Sequence, residues 1–291
     1  MTNAANDADD ADQQSSISEL IAIHGRERLF VHPLLWTQRQ LHLLGCTFAD
    51  GGILTPTVYA MPPSPRCTAL MTAVQRDMAD RFSNASKARS LATGKRLYGK
   101  WWSLIGLLQE AGHYNSRSQI QFRFASRVVA HLPCKHLVLS SSLQPSCRQL
   151  AQLGYVDLAE LARQRQAYLG RRPNKQLRDV TPPNCYQDPY LVALVIALAQ
   201  EQQHPCLVLV TNPSDTTWLH IYTSNISPRF LSKLDDPSRR PDHSDVDNLD
   251  MPLGMAILHR RLAFEPYDTL SHRLAATVQQ IITEHVQIAP P

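Results

Sequence analysis

The sequence predicts an α+β fold, with a mainly helical N-terminal half packed on a C-terminal half that holds a small mixed sheet and its helices. Three observations carry this. Before residue 170 the apolar residues recur mainly at helical spacing, as in Leu70, Val74, Met78 and Phe82, each four apart. After residue 186 come one wholly apolar helix, short β-rich runs joined by a turn, and a final amphipathic helix. Between them, residues 171–185 are basic, Pro-rich and without period, and mark the best internal boundary. The expected organisation is a disordered acidic tail (1–16), a mainly helical region (17–170), this linker (171–185) and an α/β region (186–291).

The tail, MTNAANDADDADQQSS, has almost no large apolar group to bury. His32-Pro33 opens a helical run that Gly45 closes, with Pro near the start and Gly past the end. Residues 46–65 read as a loop, and Asp50-Gly51-Gly52 as its turn. Helices are expected over 66–82 and 101–111. Ile120, Phe124, Val128 and Leu132 form another four-residue stripe, read as a helix stopped by Pro133. HLVLSS (136–141) is a short strand. Asp157 caps a helix that ends at Gly170, and Asp188-Pro189 starts one through Gln203. CLVLVT (206–211) and TWLHIYT (217–223) flank NPSDT as a β-hairpin. A short helix from Ser227-Pro228, an acidic loop, a strand at 255–264 and a helix carrying Leu270, Leu274, Val278 and Ile281 complete the chain.

Of the 291 residues, 43% are hydrophobic and 19% charged, an ordinary globular composition. The longest purely apolar run, Leu191–Ala199, is nine residues, well short of the roughly 20 that a membrane span requires. The polar, acidic start has no signal-peptide pattern. The expected compartment is therefore a reducing one, with the six scattered cysteines as mostly buried thiols. Charge is segregated: residues 81–178 hold 17 Lys and Arg against three acids, while the whole chain carries only +4.

Four stretches, LLGCTFADGGILTPTVYA (43–60), YQDPYLVALVIALAQEQQ (186–203), LVLVTNPSDTTWLHIYTSNISPRFLSKLDDPSRRP (207–241) and FEPYDTLSHRL (264–274), resemble a family of filamentous-fungal proteins with no established activity. Ala49 stands where that pattern has Pro. The resemblance implies a cytosolic or nuclear fungal protein, in a family often found near secondary-metabolite gene clusters. It transfers no catalytic residue.

Each familiar chemistry fails at the residues that would perform it. Gly94-Lys95-Arg96-Leu97-Tyr98-Gly99-Lys100 fits G-x-x-x-x-G-K, but Trp101 follows where a P-loop needs Ser or Thr to ligate magnesium. Cys134/His136 and His204/Cys206 do not match a zinc spacing, so no metal ligand is assigned. No Gly-x-Ser-x-Gly elbow is present. The helix–strand–strand–helix–strand order after residue 186 is like part of a restriction-nuclease core, yet neither hairpin strand carries the acids that would hold its metal. His220, between Leu219 and Ile221, is expected to face away from the apolar side.

The sequence therefore favours a non-catalytic binding or accessory protein with no cofactor, whose partner is another protein or nucleic acid and not a membrane. One alternative is an enzyme whose site gathers dispersed residues, with Asp50, Asp188 and His220 as its candidates. The other is a nucleic-acid or polyanion-binding protein acting through Lys95, Arg96, Lys100, Arg117 and Arg123, where cations interleave with aromatics.

Overall fold

A helix apolar on every face must be covered on every face, and Tyr190 to Leu198 are each fully buried. What covers them is a sheet far larger than the sequence suggests. The computed structural model describes residues 16–19, 31–56, 83–108, 113–140, 150–170, 174–201, 206–238 and 254–288. The predicted tail up to residue 15 and the predicted helix over 66–82 lie outside them.

The order of elements is α1 (Gln38–Leu43), β1 (Cys46–Ile53), α2 (Asn84–Thr93), α3 (Leu97–Leu108), β2 (His113–Phe124), β3 (Arg127–Ser140), β4 (Leu150–Asp157), α4 (Leu158–Leu169), α5 (Asn174–Val180), α6 (Pro189–Glu201), β5 (Cys206–Asn212), β6 (Asp215–Ser224), α7 (Pro228–Asp235), β7 (Met255–Ala263) and α8 (Leu270–Ile288). The seven strands form one mixed sheet in the order β1-β7-β6-β5-β4-β3-β2. β1 runs parallel to β7 and β4 parallel to β5, and the other neighbours are antiparallel. The fold is α+β, but the expectation of a helical N-terminal half on a small sheet is corrected. Four of the strands precede residue 158, and helices occur in both halves. The same sheet takes strands from both sides of 171–185, a stretch that itself contains α5.

Strand alternation divides the core in two. One face carries Val156, Val208, Val210, Tyr222 and Ile257 against α6, α1 and α7. The other carries Leu153, Leu209, Ile221 and Leu262 against α2, α3 and α8. At β4, Gly154 faces α6, and a Cβ there would lie 3.3 Å from Leu198, so its small size lets the helix seat closely.

Two sequence expectations fail for identifiable reasons. The stripe of Ile120, Phe124, Val128 and Leu132 is not a helix but the β2–β3 hairpin. A four-residue repeat is also two strand periods, so spacing alone does not separate the cases. The hairpin turns through Ala125 (φ 49°) and Ser126 (φ 58°), both left-handed, a conformation usually given to Asn or Gly. Residues 46–53, expected in a loop, form β1, whose register on β7 shifts between Asp50 and Ile53. Gly52 takes φ 73° at this irregularity. Gly51 passes so close to β7 that a Cβ would fall 2.6 Å from Arg260 Cγ.

Candidate functional site

The β5–β6 turn is organised by its polar residues. Asn212 Oδ1 accepts from the Ser214 N–H at 3.0 Å, and Asp215 Oδ1 accepts from the Thr217 N–H at 3.0 Å. The second oxygen of Asp215 remains for other donors. Along β6, Leu219 and Ile221 belong to one core, so His220 and Tyr222 stand on the opposite face. The register then places His220 beside Arg261 and Tyr222 beside His259 on β7. On the far side of β7, Asp50 of β1 pairs with His259. Tyr186, in the 3₁₀ turn Cys185–Gln187 ahead of α6, stacks on His220 with ring centroids 4.1 Å apart.

These residues form a continuous hydrogen-bonded chain. His220 Nε2 lies 3.3 Å from Asp215 Oδ2, and His220 Nδ1 lies 2.9 Å from His259 Nε2. The Tyr186 hydroxyl donates to Asp215 Oδ2 at 3.1 Å and accepts from Asn212 Nδ2 at 2.9 Å. His259 is stacked nearly parallel on Tyr222 at 4.6 Å. Burial pushes the Asp215 carboxyl up, but the Thr217 N–H, the Tyr186 hydroxyl and His220 outweigh it and leave the pKa lowered. Burial, and then the His259 imidazole, push the His220 pKa down to about 4 against the opposing pull of Asp215. Burial and Arg261 lower that of His259, which Asp50 opposes.

Those ionisation states fix the tautomers. Asp215 is an acceptor only, so His220 carries its proton on Nε2 and presents Nδ1 as an acceptor. His259 must then donate from Nε2, which leaves its Nδ1 as a lone pair with no bonded partner among the described residues. The result is a carboxylate–imidazole–imidazole chain ending in a neutral base. Arg261, 34% exposed in its side chain, sets a cation beside both rings and lies 3.6 Å from Asp50 Oδ2.

Of the three dispersed candidates, the structure gathers Asp50 and His220 around His259. His220 faces away from the apolar residues beside it, as expected, yet it is only 2% exposed because Tyr186 covers it. Asp188 is two residues from Tyr186, but its carboxylate is paired with the Arg165 guanidinium through both oxygens at 2.5 Å. One of those oxygens also accepts the Tyr190 N–H, and Arg165 Nε donates to the Leu34 carbonyl. Asp188 thus joins α4, the 3₁₀ turn at Pro33–Leu35 and the start of α6. Among the polyanion candidates, Lys95, Arg96 and Arg123 are exposed. Arg117 is in β2 opposite His136, and its side chain lies outside the described ones. Lys100 is 1% exposed and bonded to Asp157 Oδ2 at 2.7 Å, so it cannot serve a surface patch.

Asp157 is itself saturated. It caps α4 through the Ala159 and Glu160 N–H groups and also accepts from Thr211 Oγ1, which meets the Tyr155 hydroxyl at 2.9 Å. Above this network lies a cleft of about 180 Å³, lined by residues that include Leu97, Pro133, Val156, Leu161 and Glu160. Among the described residues, no group of three or more His, Cys, Asp and Glu could hold a metal ion, and no helix is long and apolar enough to cross a membrane.

His259, Asp215, Tyr186 and Arg261 were not singled out from sequence. The available signal was His259 in ILHRRL, where alternation puts it on the face opposite Leu258. No protein-family model, curated protein or solved structure matches this chain.

Proposed function

We propose that the chain is an enzyme that transfers a proton to or from a small substrate bearing an oxyanion group, with His259 as the base. The observation that carries this reading is the Asp215–His220–His259 chain, in which every nitrogen but His259 Nδ1 is engaged. A proton taken at Nδ1 makes an imidazolium beside the Asp50 carboxylate. Its Nε2 proton can pass to His220 Nδ1, and the charge then rests on His220 against Asp215. Burial, with a smaller contribution from Arg261, keeps both rings neutral at rest, and Arg261 supplies a cation for the substrate's oxyanion or for charge developing on it. Tyr186 and Tyr222 fix the ring planes by stacking. A cytoplasmic or nuclear compartment accompanies this proposal, supported by thiols outside any disulfide at Cys46, Cys134 and Cys185.

The test is deuterium incorporation or turnover, followed by proton NMR in D₂O, across a panel of small carboxylates and phosphate esters. The wild type should process at least one member, and His259→Gln should slow it by about 10²- to 10⁴-fold. A panel with no substrate, or a variant as fast as wild type, returns the chain to a non-catalytic accessory role.

A further inference from the structure

Helix α3 divides its aromatic residues between inside and outside. Trp101 is 4% exposed and stacks on Tyr155, whereas Tyr98 is 68% exposed and Trp102 53% exposed. The two outer rings are one helical turn apart and meet edge to face with centroids 5.8 Å apart. Gly99 lies between them, and nothing comes within 4 Å of the Cβ position there, so the helix surface is open. Lys95 and Arg96, just before the helix, are exposed, and neither has an ion-pair partner among the described residues. Leu97, between Arg96 and Tyr98 in sequence, lines the cleft over Asp157.

From this we infer that the outer face of α3 binds single-stranded nucleic acid, with bases stacked on Tyr98 and Trp102 and phosphates held by Lys95 and Arg96. Two large exposed rings in contact, beside cations, form a surface that a partner can cover. A flat π ligand covers ring faces without needing a shaped pocket, and a strand supplies one at each nucleotide. The neighbouring exposed cations select an anionic carrier for those bases, and the surrounding segment 81–178 holds 17 Lys and Arg against three acids. An acidic peptide would engage the cations and leave the rings unused.

The experiment is an anisotropy titration of the full chain against fluorescein-labelled (dT)₂₀ at 50 and 200 mM salt, with Trp emission recorded in parallel. Wild-type binding should weaken with salt and quench Trp102, which is 53% exposed while Trp36 and Trp101 are buried and Trp218 is half-buried, and the quench should disappear in Trp102→Ala. Tyr98→Ala with Trp102→Ala should weaken binding by roughly 5- to 150-fold per lost stack at an unchanged salt slope. Lys95→Glu with Arg96→Glu should reduce the slope by about 1.4, for two lost single-strand phosphate contacts. All four positions are exposed, and circular dichroism checks that both variants fold. No binding at 50 mM salt, an aromatic variant that binds like wild type, or equal competition by poly-glutamate would overturn the assignment.

Discussion

Acidification should destabilise this protein through His220. In the fold the imidazole is held neutral, with its pKa pushed down to about 4 by burial and by His259. In the unfolded chain it returns to about 6.5. Between those values the unfolded state binds the extra proton, so stability is complete above about pH 6.5 and falls as pH drops toward 4. A shift of about 2.5 units corresponds to roughly 3 kcal/mol in total, of which about 2 kcal/mol is lost by pH 5. His259, lowered for the same cause, adds to the loss with the same sign, while Asp215 contributes only at lower pH. The discriminating variant is His220→Phe, which keeps a ring under Tyr186 but cannot titrate. Urea unfolding followed by circular dichroism at pH 7, 6 and 5 should show a wild-type loss exceeding that of the variant by about 2 kcal/mol at pH 5. Parallel pH dependences would mean that His220 is charged, or solvated, in the fold, and the electrostatic account of the chain would fail.

Asp188→Ala should destabilise by about 3–5 kcal/mol, because it strands the buried Arg165 guanidinium and uncaps α6; a loss below 1 kcal/mol in urea titration would remove Asp188 as the joint between α4 and α6. Replacing Ala125-Ser126 by Asn-Gly should stabilise by about 1 kcal/mol, since both residues sit at positive φ. Calorimetry should register this as a Tm about 2–4 °C higher, and an unchanged or lower Tm would mean that the turn is not left-handed in solution.

Sequence reasoning succeeded where composition alone decides structure. The all-apolar Leu191–Ala199 run had to be a covered helix, Asp157 had to cap one, and CLVLVT-NPSDT-TWLHIYT had to turn back on itself. It failed where the same pattern has two meanings. Ile120 and Phe122 alternate with Gln121 and Arg123, a strand signal that the four-residue stripe masked, and no Gly or Asn marked the turn after them. β4 was hidden because Gly154 and Gln152 break its apolar run, although both face the packed core in the fold. The site was half legible for a different reason. Asp50 and His220 are unusual in their own segments, but their connection runs through His259, and that depends on β1 being parallel and β6 antiparallel to β7. Register between distant strands is set by packing across the whole sheet, and no local window contains it.

The central claim is that Asp215 and His220 leave His259 Nδ1 as a neutral base, and histidine tautomers are directly observable. A two-bond ¹H–¹⁵N correlation spectrum of ¹⁵N-histidine-labelled protein at pH 7, with His220→Phe and His259→Gln for assignment, reads both rings at once. The account predicts that His220 and His259 are each protonated on Nε2 only, and that His220 stays neutral until well below pH 6. A proton on Nδ1 of either ring, or an imidazolium at His220 at pH 7, would contradict it.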